Sequence, residues 1–127
     1  MIGKRFYLLV FVAIFWILSA PAAANEQVKG RLLVFITDYC PYCKGFMDTI
    51  MPVYPKTQTG KHFPITVIDN FSPPKEWESL AWEIRFYPTF LVLDQRGKKI
   101  GQFRGYRGEE FFWSEFEAII ARIPSGP

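Results

Sequence analysis

The feature that most restricts this chain is an uninterrupted apolar, β-rich run, Arg31-Leu32-Leu33-Val34-Phe35-Ile36-Thr37, leading directly into Cys40-Pro41-Tyr42-Cys43. A run without polar alternation is the mark of a strand buried on both faces, so the fold must place a layer on each side of it. The cysteine motif opens a helical stretch through about Met51. Pro41 suits the first helical position, where its missing N–H costs nothing. Phe46, Met47 and Ile50 share one helical face, and Pro52 ends the helix.

The rest of the chain supplies those layers. Residues 52–63 read as loop and Pro64-Ile65-Thr66-Val67-Ile68 as a second buried strand. Ser72 is the expected N-cap of a second helix, with Pro73 and Pro74 in its first turn and Trp77, Leu80, Ala81 and Ile84 on its apolar face. Thr89-Phe90-Leu91-Val92-Leu93 is a third strand, and Asp94-Gln95-Arg96-Gly97 is a hairpin turn. Lys98–Arg104 returns as an edge strand, marked by charge and glycine. Phe112, Phe116, Ile119 or Ile120, and Ile123 stripe a final helix over Glu109–Arg122. The order is β-α-β-α-β-β-α. A short βαβ connection makes the first two strands parallel, and the tight hairpin makes the last two antiparallel. The expected fold class is therefore α/β, a mixed four-stranded sheet with helices on both faces.

The first 24 residues have a different character. Lys4 and Arg5 precede a 13-residue apolar run, Phe6–Leu18, and Ala22-Ala23-Ala24 offers a small-residue cleavage site before Asn25. The run is shorter than the roughly 20 residues of a membrane-spanning helix. Residues 1–24 are read as a signal peptide, 25–31 as a short extension and 32–123 as the single domain; an uncleaved anchor is the competing reading. Export places the domain in an oxidising compartment, the bacterial periplasm. Lys and Arg number 15 against 12 Asp and Glu, and without Lys4 and Arg5 the balance is 13 to 12. A domain so close to neutral offers no electrostatic footprint for nucleic acid.

Two cysteines make one pair. At a strand end and helix start, Cys40 faces the helix's unpaired N–H groups and the positive end of its dipole. Both favour the thiolate, the species that attacks a disulfide. Cys43, one turn on and partly covered, fits the resolving role, and the exchange needs no cofactor. Three other readings compete. A structural staple would join distant segments, since so small a loop gains only about 2 kcal/mol. A zinc site wants four ligands and His62 is the only histidine, so no metal site is assigned. The third is an accidental pair in a reducing cell, which the leader argues against. A carrier of soft Cu(I) on two thiolates is the alternative from another functional class. Tyr87-Pro88, at the head of the third strand, is by composition a strand-start proline. The topology brings it beside the helix that carries Cys40, where a cis turn would offer the Tyr87 backbone to an extended peptide.

The strand–Cys-x-x-Cys–helix unit, Ile84-Arg85-Phe86-Tyr87-Pro88-Thr89-Phe90 and the hairpin ending at Phe103-Arg104-Gly105-Tyr106 together resemble the thioredoxin superfamily over Leu32–Ile123. That resemblance implies a thioredoxin-like fold and a cis bond before Pro88. Because only residues 25–31 precede the first strand, the leading strand and helix of full thioredoxin are absent from the expected fold. Val34 stands where thioredoxins carry a buried Asp. Pro41-Tyr42 is the glutaredoxin dipeptide, but that family's glutathione-binding elements have no clean equivalent. Pro52-Val53-Tyr54-Pro55-Lys56-Thr57 and Gly105-Tyr106-Arg107-Gly108-Glu109-Glu110-Phe111-Phe112-Trp113 resemble the SoxS-type periplasmic thioredoxins found with bacterial sulfur-oxidation genes. The resemblance implies a monomeric thiol–disulfide oxidoreductase that keeps an exported partner's cysteine reduced, a sulfur-carrier protein being the family example, and that draws electrons from a membrane donor.

Cys40 and Cys43 are thus the expected catalytic pair, with Tyr39, Pro41, Tyr42, Tyr87 and Pro88 around the substrate. Tyr39 and Tyr42 read equally as a partner-facing rim or as local packing. Lys44 is either a charge near the thiolate or, more simply, a solvated lysine. Phe111, Phe112, Trp113 and Phe116 read as core, while Lys98, Lys99, Arg104 and Arg107 read as solvated charges and His62 as an exposed loop residue.

Overall fold

The computed structural model describes residues 27–124; the signal-peptide reading of residues 1–24 lies outside them. The apolar run forms β1 (Gly30–Ile36), and Leu32, Leu33, Val34 and Phe35 within it have no exposed surface. β2 (Ile65–Asp69), β3 (Thr89–Asp94) and β4 (Lys99–Arg104) complete one four-stranded sheet in the order β2-β1-β3-β4. β1 pairs with β2 in parallel, Leu32 opposite Ile65 and Ile36 opposite Asp69. β1 pairs with β3 antiparallel, as β3 does with β4 across the hairpin. In that hairpin the Asp94 carboxylate accepts the N–H groups of Arg96 and Lys98. Gly97 takes φ +80°, a left-handed conformation that other residues adopt only with strain.

Strand periodicity divides the core in two. Leu32, Val34, Phe90, Val92 and Phe103 face α1 (Pro41–Thr49) and the last helix, Glu109–Ile120, through Phe46, Phe112, Phe116 and Ile119. Leu33, Phe35, Ile68, Leu91 and Leu93 face the opposite way and meet Ala81 and Ile84, with Trp77 and Leu80 packed against them. The expected mixed sheet with helices on both faces is therefore the observed architecture. Among the described residues, no strand or helix precedes β1.

The structure departs from the sequence reading in three places. The expected loop 52–63 holds a 3-10 turn, Tyr54–Lys56, and a short helix α2 (Gln58–His62). Thr57 caps α2 by accepting the Gly60 N–H at 2.9 Å, and Pro55 starts the turn with a pre-set φ. His62 consequently closes a helix and is half-buried instead of exposed in a loop. The helix expected from Ser72 begins later, as a 3-10 turn at Lys75–Trp77 followed by α3 (Glu78–Glu83). Consecutive prolines explain the delay, because Pro74 biases Pro73 away from helical ψ and Pro74 itself stays extended at ψ 147°. The final helix, α4 (Glu109–Ile120), stops two residues short of Arg122, since its last carbonyls are taken up in a tightened turn. No helix among the described residues is long and apolar enough to cross a membrane.

Candidate functional site

The C-terminal end of β1, the start of β3 and the start of α1 meet at one end of the sheet, in its centre. Cys40 is the N-cap of α1, extended at φ −105° and ψ 106°, and its carbonyl accepts the Lys44 N–H. Its side chain takes the place usually filled by Ser or Asp: the Cys43 N–H donates to the Cys40 sulfur at 3.1 Å. No acidic residue sits in the first turn of α1, so the dipole and this donor act on the sulfur without a competing carboxylate there. Cys40 is half-buried while Cys43 is 2% exposed. The two are joined as a disulfide with Cα atoms 5.1 Å apart. This is the oxidised state of the pair.

α1 is held from below by rings. Phe46 lies 5.0 Å from Phe90, 5.5 Å from Phe112 and 6.0 Å from Tyr106, centroid to centroid. On its outer side the Thr49 hydroxyl donates to the Gly45 carbonyl and meets the Tyr106 hydroxyl. Tyr54 is buried next to Phe112, Trp113 and Phe116, its hydroxyl donating to the Phe63 carbonyl at 2.7 Å. Desolvation by that burial pushes the Tyr54 phenol far above its ordinary titration range.

The Tyr87–Pro88 peptide bond is cis. The Tyr87 carbonyl oxygen lies 3.5 Å from the Cys40 sulfur, and Pro88 is buried. Three contacts fix this corner. The Thr89 hydroxyl donates to the Phe86 carbonyl at 2.6 Å, the Gly105 N–H donates to the Pro88 carbonyl at 2.8 Å, and the Asn70 amide donates to the Tyr87 hydroxyl at 2.6 Å. Asn70 is itself tied to β1, its N–H donating to the Ile36 carbonyl. Sequence reasoning did not single out Asn70, and it took Thr89 only as the end of the Tyr87-Pro88-Thr89 motif, without a contact of its own. A polar residue just past a strand is too common to mark Asn70; the buried Thr89 follows the proline, and its place there was the available signal.

Pro41 sits at the head of α1, exposed, between Tyr39 and Tyr42, which are 96% and 64% exposed. The two tyrosines therefore stand in solvent beside the cysteine motif and are not packed locally. Phe71 and Phe86 are exposed as well. Lys44 is solvated and pairs with Asp48 one turn along α1, as an exposed lysine would. Phe112 and Phe116 are core, with Phe111 and Trp113 packed against it. Val34 is fully buried, so no carboxylate reaches Cys43 from that position. Among the described residues no three His, Cys, Asp or Glu side chains converge as a metal site.

The model of a thioredoxin-like domain matches residues 19–120. Among solved structures, the periplasmic thioredoxin SoxS of Paracoccus pantotrophus, in its reduced form, is 32% identical with a TM-score of 0.63, covering 73% of this chain and 97% of that one. A poplar thioredoxin h is 25% identical at a TM-score of 0.54, with 75% and 79% of the two chains covered. A Malassezia sympodialis thioredoxin shares the fold at 20% identity and a TM-score of 0.57, over 77% of this chain and 80% of that one. No curated protein matches the sequence.

Proposed function

The chain belongs to the thioredoxin-like family and is a thiol–disulfide oxidoreductase; from that premise we propose that it works in the periplasm as a reductant of an exported protein, with Cys40 attacking and Cys43 resolving. The Cys40 thiolate attacks one sulfur of the partner's disulfide, forms a mixed disulfide and expels the partner's other sulfur as a thiolate. Cys43, deprotonated, then attacks Cys40, forming the Cys40–Cys43 disulfide and releasing the partner's second thiolate. Two electrons pass to the partner, and a dithiol donor in the membrane restores the pair. Tyr87 and Pro88 align the partner's backbone beside Cys40, while Tyr39, Pro41 and Tyr42 form the rim it meets. The SoxS resemblance favours a sulfur-carrier protein as that partner.

The observation that carries this reading is the asymmetry of the pair. Cys40 is half-buried at the helix cap and accepts the Cys43 N–H, whereas Cys43 is sealed beneath it. A thiolate at a helix N-terminus is stabilised by those donors and is the better attacking and leaving group. Cys40→Ser should abolish insulin-disulfide reduction, and Cys43→Ser should accumulate a mixed disulfide through Cys40 whose partner can be identified after periplasmic extraction. Full reduction of insulin by Cys40→Ser would overturn the assignment.

A further inference from the structure

On the face of the sheet away from α1, a groove runs between α3 and β4 and reaches the redox corner at Phe86. Arg85, Lys99 and Arg104 line it, with Glu83 as its carboxylate. Register puts Arg104 opposite Thr89, the residue after Pro88. The Arg104 guanidinium lies over the Phe86 ring, 4.9 Å from its centroid, and that ring is 57% exposed. Arg85 donates to the Trp82 and Ile84 carbonyls at the end of α3. Backbone carbonyls and a ring thus hold these two arginines in place, and among the described residues neither forms an ion pair with a carboxylate. A guanidinium stacked on a ring keeps in-plane N–H donors for another acceptor. The groove itself carries three basic side chains against one carboxylate, a local excess of positive charge.

We propose that this groove takes an acidic stretch of the protein whose disulfide is exchanged at Cys40, an inference that rests on the thiol–disulfide reading above. Phe86 adjoins Tyr87, whose carbonyl lies 3.5 Å from the Cys40 sulfur. An extended segment docked there advances about 3.3 Å per residue, so carboxylates a few positions from the exchanged cysteine come into reach of Arg104 and Arg85. Such complementarity acts chiefly on the rate of encounter and on the choice of partner.

The test uses the reduced protein and three peptides that share one disulfide core but carry flanks of Glu, Gln or Lys. At low ionic strength kcat/KM should fall in the order Glu, Gln, Lys, with about tenfold between the extremes, and the spread should shrink at about 0.5 M salt. In the Arg85→Glu/Arg104→Glu variant the Glu-to-Lys ratio should invert; in Arg104→Gln it should lie between. Because each variant is scored by its own ratio, a loss of overall activity does not mask the result. Equal kcat/KM for all three peptides, or a preference for Glu that survives charge reversal, would overturn the proposal. Reduction of hydroxyethyl disulfide by the unaltered protein is the separate control: if that reaction fails, it is the oxidoreductase reading that falls.

Discussion

The face of the sheet that carries α1 and α4 is filled with rings, Phe46, Tyr54, Phe90, Phe103, Phe112 and Phe116 meeting in a network of edge-on and stacked contacts. The opposite face is closed by Leu33, Phe35, Ile68, Ala81, Ile84, Leu91 and Leu93 beneath the six-residue α3, and Trp82 and Phe86 stand out in solvent beside it. The first face supports the helix that presents the cysteines, where a displacement of the cap would alter the sulfur's donor. The second supports the Phe86–Pro88 corner, which is held by hydrogen bonds more than by bulk. Aromatic packing is concentrated beneath the helix that carries the cysteines, and exposed aromatics stand on the other face.

Unfolding experiments on the two faces would break this contrast if it is wrong. Phe112→Ala removes a ring in contact with Phe46, Tyr54, Phe90, Phe103 and Phe116 and should cost about 3–5 kcal/mol in urea titration, whereas Ile84→Ala on the opposite face should cost about 2 kcal/mol. Equal losses would remove the distinction. Tyr54→Phe should cost about 1 kcal/mol near neutral pH by giving up the bond to the Phe63 carbonyl. It also sharpens the contrast at high pH. The folded protein holds the Tyr54 phenol protonated far above its ordinary range, so the stability this group confers is intact below about pH 10 and is lost as pH rises through the raised value, because unfolding frees the phenol to ionise. Tyr54→Phe should therefore lose less stability than the unaltered protein between neutral pH and about pH 11. Trp82→Ala should change stability by no more than about 0.5 kcal/mol, since the side chain is already 72% exposed.

Much of this layout was legible beforehand, for identifiable reasons. β1 announced itself because a strand buried on both faces cannot carry polar residues, and its apolar run is unbroken from Leu32 to Ile36. Cys40 and Pro41 signalled the helix start through local cap chemistry, and the structure places both there. The cis bond at Pro88 was legible only through the family pattern, because local sequence leaves an X-Pro bond trans in most proteins. The stretch 54–62 was misread because α2 is five residues long, too short to show a period; the Thr57 cap three residues before Gly60 was its one local sign. Ser72 looked like a cap but its successors Pro73 and Pro74 postponed the helix. The Asn70–Tyr87 bond joins residues 17 apart, and no local rule reports it.

The sealed position of Cys43 has one more consequence. In the proposed exchange a foreign sulfur enters through Cys40, and the thiol that would push it out again, Cys43, is already inside the wall. On that mechanism the lifetime of an unproductive adduct would depend on how readily the first turn of α1 lets Cys43 swing toward its neighbour.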